Sequence, residues 1–242
     1  MRKRKITAFK YKYEFESINN EIEAYSLGLF FTDGSVSQKI YNNMTNSQAV
    51  IHLQSQDASV LYAINSYVSD DTSVNCTEKY CYIRFSHRDL VSNLINLGCK
   101  QNKTYEGLTW PTIPENIISH FIRGVFDGDG CITSDKGRFP KAYIACTDIT
   151  FLEKIQEVLL SNNISSSINT EKRVGKTFKV PHGYSSNCID LHRLYIRRKE
   201  ELKKFKVYLY RDAETLIQRK KDTFDRYVDT EINVTPKEVT SS

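Results

Sequence analysis

Two short stretches of this chain, 96 residues apart, repeat one pattern of small, apolar and acidic residues. Residues 24–34 read AYSLGLFFTDG, and residues 120–130 read HFIRGVFDGDG. Glycine recurs in the middle of both, at Gly28 and Gly124, and both end in Asp-Gly. These three identities at one constant offset are hard to obtain by chance. The chain therefore contains an internal duplication, which constrains it to fold as two related halves.

Small residues recur at every fourth position of the first stretch, a spacing that places them on one face of a helix, and the second stretch offers a matching face. The first face is Ala24, Gly28 and Thr32, and the second is His120, Gly124 and Gly128. Two such faces predict helices whose backbones approach each other closely. The glycine of each closing Asp-Gly pair predicts a turn with positive φ out of the helix.

The helix pair would bring the carboxylates of Asp33 and Asp129 side by side. A single Asp-Gly pair after an apolar run is often only a turn, but the duplication argues against that interpretation. Like charges at close range repel, so two adjacent acids are a poor structural device. They are well suited to hard divalent cations, which take oxygen ligands and can be shared with phosphate. The two aspartates are therefore predicted to hold a metal ion.

Residues 27–34 and 123–130 resemble the motif of the LAGLIDADG homing endonucleases. The second copy, Gly-Val-Phe-Asp-Gly-Asp-Gly, is close to the motif, whereas the first has Phe31 where the earlier acid usually stands. In the family that earlier position is not the metal-binding one, so the departure concerns helix-end geometry more than chemistry. The later, catalytic acid is carried over to Asp33 and Asp129.

The resemblance implies a site-specific double-strand DNA homing endonuclease of the monomeric, two-motif type, intron-encoded or free-standing. It implies Mg²⁺ as cofactor, with Mn²⁺ or Ca²⁺ able to occupy the same sites, and hydrolysis across the minor groove that leaves short 3′ overhangs. The backbone carbonyls of Thr32 and Gly128 would help the two aspartates to hold the metal. Family members also place basic or polar side chains around the pocket, and the nearest matches here are Arg88 and Arg198, with Ser55 as a weaker match.

The segments after both motifs follow the same order of predicted elements. Asp57 and Asp148 each precede a predicted helix and are expected to cap it. A turn is predicted at 42–46 and a last helix over 213–227. The predicted fold class is α+β: two pseudo-symmetric αββαββα repeats forming paired antiparallel β-saddles joined by the two motif helices. The expected organisation is an N-terminal half at 1–99, a linker at 100–114, a C-terminal half at 115–227 and a tail at 228–242.

Alternation along the predicted strands gives each sheet one polar face, which suits base edges and phosphates. A solvated sheet face is the alternative for any single residue, and a register shift of one position would exchange the whole set for the opposite face. The predicted DNA-binding residues are Ser37, Lys39, Tyr41, His52, Gln54, Thr133, Arg138, Lys141, Tyr143 and Arg193.

Composition is compatible with this function without proving it. The net charge is +5, from 34 Lys and Arg against 29 Asp and Glu, a modest excess for a polyanion partner. No apolar run approaches the roughly 20 residues that span a bilayer, and the basic N-terminus does not resemble a signal peptide. We expect a soluble intracellular protein of the cytoplasm, nucleoid or organelle matrix, with no membrane partner. The six cysteines lack metal-binding spacing and are expected to be reduced thiols.

Two non-cleaving relatives remain as alternatives: a maturase that helps intron RNA to fold, and a DNA-binding regulator that keeps the scaffold but loses the acids. The presence of both Asp33 and Asp129 favours the enzyme. A regulator would also usually need an added helix-turn-helix, and an intein would need splicing blocks; neither is evident. A plain protein-interaction module would leave the paired acids unexplained. The expected partners are double-stranded DNA and, as a second possibility, intron RNA, with the chain acting as a monomer.

Overall fold

The computed structural model describes residues 11–41, 44–134, 140–180, 183–186 and 189–229, and its helices and strands fall into two similar sets. The first set is α1 (Glu21–Phe31), β1 (Gly34–Tyr41), β2 (Met44–Gln54), a 3₁₀ turn (Ser55–Asp57), α2 (Ala58–Val68), β3 (Val74–Cys76), β4 (Tyr80–Phe85), α3 (Arg88–Asn96) and the short α4 (Lys103–Glu106).

The second set follows the same order with one insertion. It comprises a 3₁₀ turn (Glu115–Ile117), α5 (Ile118–Asp129), β5 (Gly130–Thr133), β6 (Lys141–Cys146), α6 (Ile149–Ser161), β7 (Ser167–Glu171), β8 (Thr177–Val180), β9 (Gly183–Ser186), β10 (Leu191–Ile196), α7 (Lys199–Tyr210), α8 (Gln218–Phe224) and a π-helical turn (Asp225–Asp229). The β8–β9 hairpin is the insertion, and it lies in the basic segment after β7.

Each half contains one four-stranded antiparallel sheet, so the predicted fold class is confirmed. The strand orders are β1-β2-β4-β3 and β5-β6-β10-β7. One face of each sheet packs on the core, where Ile51 and Ile83 pair in the first sheet and Ile144 and Leu194 in the second, all fully buried. None of the described helices is long and apolar enough to cross a membrane.

The motif helices α1 and α5 pack backbone against backbone, as the repeated small residues predict. A Cβ atom added at Gly28 would lie 2.3 Å from the Phe121 carbonyl oxygen, and one added at Gly124 would lie 2.2 Å from the Tyr25 carbonyl oxygen. Any side chain at either position would force the helices apart. The glycines are therefore required by interhelical contact rather than by helix propensity.

The predicted positive φ at the closing glycines is wrong. Gly130 is extended, with φ −87° and ψ 155°, and Gly34 is not among the positive-φ glycines. Glycine is required there by close approach instead: a Cβ at Gly34 would lie 2.4 Å from the Cα of Phe30, and one at Gly130 would lie 2.4 Å from the carbonyl oxygen of Phe126. The chain turns directly from each helix into a strand that packs on the helix end.

A buried arginine joins the N-terminal end of α1 to α5 and to the C-terminal segment. Arg123 is fully buried; its Nη2 donates to Glu21, its Nε donates to the Thr215 carbonyl at 3.1 Å, and its Nη1 donates to the Leu209 carbonyl at 3.0 Å. A buried charge is tolerated only when it is paired and hydrogen-bonded. Elements that are distant in sequence are thereby held at one point.

His120 completes this network as a neutral acceptor. Its Nδ1 lies 2.5 Å from Nη1 of Arg123, and the residue is buried. Burial, together with the positive charge of Arg123, lowers the pKa of His120 to about 4. In the unfolded chain the same imidazole gains a proton near its ordinary pKa of 6.5. The folded state is therefore penalised as the pH falls from 6.5 toward 4.

Two predicted element boundaries are wrong. The last helix, predicted over 213–227, begins only at Gln218 and gives way to a π-helical turn at Asp225. The predicted linker contains α4, and the turn predicted at 42–46 is shortened by the start of β2 at Met44. The part of the predicted tail after residue 229 lies outside the described residues.

The prediction that all cysteines are reduced is contradicted by one pair. Cys76 and Cys81 face each other across the β3–β4 register and form a disulfide. Sequence spacing alone did not indicate this, because the pairing depends on the hairpin. Among the described residues, Cys99, Cys131 and Cys146 are free thiols.

We expect Gly124→Val to lower the free energy of unfolding by about 3 kcal/mol, because the added side chain overlaps the backbone of α1. Urea unfolding compares the variant with wild type, and Ser66→Ala on the exposed face of α2 serves as the control. A variant as stable as the control would contradict the close helix contact.

We expect His120 to make the free energy of unfolding roughly 1 kcal/mol lower at pH 5.5 than at pH 7.5, since only the unfolded chain takes up the proton. His120→Gln keeps an acceptor for Arg123 and should remove this loss. Urea unfolding at both pH values measures it, with His52→Gln on the exposed sheet face as control. An unchanged pH dependence in His120→Gln would rule out the assignment.

Candidate active site

The structure brings Asp33 and Asp129 together where the motif helices end. Asp33 comes just after Thr32, the C-cap of α1, and Asp129 is the last residue of α5. A Cβ added at Gly128 would lie 3.0 Å from Oδ2 of Asp33 and would overlap the hydroxyl of Thr32. The missing side chain at Gly128 therefore lets the end of α1 approach the end of α5.

Both carboxyl groups have a raised pKa, and the charge of Asp33 adds to the effect at Asp129. Surrounding protein atoms, and then the charge of Asp33, raise the pKa of Asp129 to about 6, although the side chain still reaches solvent. Burial also raises the pKa of Asp33, against the opposing effect of nearby cations. An acid pair in this state gains stability from any added positive charge.

Two lysines that sequence reasoning missed stand beside the acids in equivalent positions. Lys103 of α4 donates from Nζ to the carbonyl of Thr32 and, at 2.8 Å, to that of Gly34. Lys220 of α8 donates to the carbonyls of Gly128 at 3.2 Å and Gly130 at 2.8 Å. The four carbonyls occupy the same two positions of each repeat. Each motif turn thus carries one ammonium group.

Burial lowers the pKa of both lysines, and the charges of Asp33 and Asp129 oppose that shift. The site therefore contains two carboxylates and two ammonium groups in a partly desolvated space. Such an arrangement can bind a cation between the acids and an anion, such as a phosphate, beside the lysines.

The donor set fits a divalent cation at the two aspartates. The carboxyl groups of Asp33 and Asp129 both have a raised pKa, and their oxygens are hard ligands of the kind that Mg²⁺ prefers. The predicted carbonyl ligands at Thr32 and Gly128 are in a different situation, since each already accepts a hydrogen bond from a lysine. A cation there would meet an ammonium group, so the aspartates are the better-fitted donors.

Two related cavities flank the acidic pair. One, of about 230 Å³, extends from Asp129 and Lys103 toward Thr147 at the end of β6. The other, of about 280 Å³, extends from Asp33 and Arg219 past the end of β2. Each cavity is lined by residues of both motifs and by the sheet of one half. The site is therefore symmetric in layout and shared by both halves.

The extra acid of the second motif has a structural role. Asp127 is buried and accepts from the hydroxyl of Tyr25 at 2.8 Å, from that of Tyr210 at 3.1 Å and from the backbone N–H of Ile217 at 2.8 Å. It fastens the segment before α8 to both motif helices. Phe31, its counterpart, is instead buried against Phe121 and Phe151.

The predicted basic assistants lie elsewhere. Arg88 begins α3 and is exposed, and Arg198 lies beside Tyr195 in a separate cavity. Neither lines the described cavities that hold the two carboxylates. Ser55 donates from its hydroxyl to the Glu78 carbonyl at 2.8 Å, and so supports the β3–β4 hairpin. Lys103, Lys220 and Arg219 are the cations whose charges act on Asp33.

The predicted DNA-binding residues share the sheet faces opposite the core. His52 and Gln54 are exposed on β2, and Ser37 and Lys39 of β1 lie on the same face of the sheet. In the second sheet, Thr133, Lys141, Tyr143 and Arg193 are all partly exposed. Arg138 and the side chain of Tyr41 lie outside the described residues.

Further residues of these faces were missed. His52 packs on Tyr82, with Arg84 over the same ring at 5.6 Å. In the second sheet, the guanidinium carbon of Arg193 lies 5.7 Å from the centre of the Tyr143 ring, and that of Arg197 lies 4.1 Å from the Tyr195 ring. The period-two alternation of β4 and β10 was the signal that could have found them.

Comparison with known proteins agrees with this architecture. Residues 116–209 match the family model of a LAGLIDADG-like domain. The homing endonuclease I-DmoI in complex with DNA and Ca is similar with a TM-score of 0.56 at 14% identity, over 88% of this chain and 100% of that one. Mesophilic variants of I-DmoI give 0.55 at 17% identity, over 81% and 97%. The meganuclease I-SmaMI bound to uncleaveable DNA gives 0.55 at 10% identity, over 88% and 89%. No curated protein sequence gives a significant match.

The resemblance recognised from the two motifs is confirmed over residues 116–209, which match a LAGLIDADG-like domain. The chain as a whole has the same fold as I-DmoI and I-SmaMI.

We expect Asp129→Asn to raise the thermal midpoint in EDTA by roughly 2 °C, because it removes one of two mutually repelling charges. Millimolar Mg²⁺ or Mn²⁺ should raise the wild-type midpoint and have little effect on the variant. Asp222→Asn on the exposed face of α8 is the charge-matched control. The repulsion would be contradicted if Asp129→Asn had a lower thermal midpoint than wild type in EDTA and if metal raised both midpoints equally.

Proposed function

We propose that this protein is a site-specific endonuclease that hydrolyses both strands of a long, asymmetric DNA duplex in the presence of Mg²⁺. The observation that supports it most is the meeting of Asp33 and Asp129, one from each repeat, with Lys103 and Lys220 beside them. This charged group lies at the junction of two sheets with open polar faces. The likeness to I-DmoI, solved with DNA and Ca and with DNA and Mn, supports it further.

The two sheets would bind the duplex on either side of the site. β1 has eight residues, which at about 3.3 Å each reach about 26 Å. With a base-pair rise of about 3.4 Å, one sheet would follow most of a helical turn. Arg193 and Arg197 lie over the rings of Tyr143 and Tyr195 on the open face, and guanidinium groups suit guanine edges and phosphates.

Chemistry would occur at the two motif turns. Asp33 and Asp129 would hold the cation, which when bound lowers the pKa of a water and stabilises the charge that develops on the leaving 3′ oxygen. Lys103 and Lys220, fixed by backbone carbonyls, would each stabilise the negative charge on one scissile phosphate. The partly closed space strengthens these interactions. Cleavage of the two strands across the minor groove would leave short 3′ overhangs.

The organisation expected from the sequence belongs to the same proposal. The halves at 1–99 and 115–227, linked by 100–114 and followed by a tail at 228–242, would act as one monomer with an internal pseudo-two-fold axis. One chain then supplies both acids, and no second copy is needed to complete the site. Each half reads its own part of an asymmetric target.

We expect the purified chain to select and cut members of a randomised duplex library in Mg²⁺, and EDTA to stop the reaction. Asp129→Asn should bind the selected duplex but cut it at least 1,000-fold more slowly, a loss typical of removing a central catalytic group. Sequencing of bound and cleaved fractions measures both. Equal cutting by the variant would remove the metal assignment, and binding to structured RNA alone would favour the maturase alternative.

A further inference from the structure

Two acidic residues outside the acidic pair make equivalent contacts across the repeat boundary. We propose that Asp57 and Asp148 are positioning residues: the carboxylate of each half fixes the chain segment that carries the active-site lysine of the other half. The role assigned to those lysines rests on the proposed function. The contacts themselves are present in the structure independently of it.

The sequence predicts that Asp57 caps α2, and this prediction is wrong: the Asp57 side chain makes no cap hydrogen bond. Both of its oxygens instead accept from Arg219, which donates from Nε at 3.0 and 3.1 Å and from Nη2 at 2.8 Å. Asp57 is only 4% exposed. A forked contact of this kind is among the more directional charge pairs. Because Arg219 immediately precedes Lys220 in α8, the contact orients the lysine's own helix.

Asp148 makes the equivalent contact with the other lysine-bearing segment. Its Oδ2 accepts from the backbone N–H of Leu108 at 2.7 Å, while Oδ1 caps α6 through the N–H of Thr150 at 2.9 Å. Gly107, with φ +72°, permits the approach, since a Cβ there would lie 2.8 Å from Oδ2. The contact lies five residues after Lys103, and so fixes the segment that leads out of α4.

The two contacts are related by the internal repeat. Asp57 follows β2 and precedes α2, and Asp148 follows β6 and precedes α6 in the same way. The partners differ, being a side chain in one case and a backbone N–H in the other. What is common is the direction: each acid belongs to one half, and each lysine-bearing segment follows the sheet of the opposite half.

The lysine-bearing segments need such support. α4 has only four residues and α8 only seven, too short to be stable without tertiary contacts. A lysine on an unsupported segment would have many rotamers and would lose its carbonyl contacts readily. The acids therefore make lysine placement depend on correct docking of the two halves.

A purely structural contact would slow cleavage of both strands, because a looser protein binds and cuts less well overall. A positioning contact affects one lysine. Lys220 lies over the second motif turn and Lys103 over the first, so each would serve a different scissile phosphate. The ratio of the two strand-cleavage rates therefore separates the two roles.

Two substitutions isolate the contacts. Asp148→Asn retains a carbonyl oxygen for the α6 cap but turns an amide donor toward the N–H of Leu108. Asp57→Asn leaves Arg219 with one acceptor in place of two. Asp222→Asn, on the exposed face of α8, removes the same charge without touching either contact and is the matched control.

With a duplex labelled on both strands, we expect Asp57→Asn to slow one strand at least tenfold relative to the other, so that nicked product accumulates. Asp148→Asn should slow the opposite strand, and Asp222→Asn should leave the ratio at the wild-type value. Equal slowing of both strands, or the same strand being affected by both variants, would overturn the proposal.

Hydrogen exchange of the backbone amides provides a readout that needs no cleavage. Asp57→Asn should raise exchange in 218–224 at least tenfold with little change in 103–108, and Asp148→Asn should do the reverse. If wild type cuts no duplex, the nuclease proposal fails, and exchange alone then decides on the contacts. Unchanged exchange in both segments would overturn them.

Discussion

The backbone contact between α1 and α5 at Gly28 and Gly124 sets the geometry of both the acidic pair and the two sheets. Because the helices cross without intervening side chains, their ends meet closely enough for Asp33 and Asp129 to share one space. The two sheets start directly from those ends, so the helix pair also sets their relative position. A side chain at the crossing would move the acids and both sheets together.

The electrostatics of the site oppose folding and favour ligand binding. Two acids with raised pKa values lie beside two lysines with lowered ones, and all four groups would be more stable in water. The fold offsets this cost with buried hydrogen-bond networks around Arg123 and Asp127. Both are motif residues, but neither belongs to the acidic pair. Stability and chemistry are thus divided between neighbouring positions of the same helix.

Much of the fold follows from local pattern, since the duplicated motif and period-two strands indicated two α+β repeats and the paired aspartates. The site lysines did not follow. Lys103 lies in a segment whose proline and glycine content predicts a linker, and Lys220 stands 117 residues further on, outside the offsets of the repeat. The start of α8 was predicted too early because tertiary contacts override helix propensity there. The N–H groups of Thr215 and Ile217 donate to side chains of α1 and α5.

Anomalous diffraction from Mn²⁺ in crystals of the chain with a selected duplex would show whether Asp33 and Asp129 share one metal site. A shared site predicts an anomalous peak within ligand distance of a carboxylate oxygen of both residues, next to a backbone phosphate. Mn²⁺ bound to only one of these residues, or a duplex lying on a surface away from both, would contradict it.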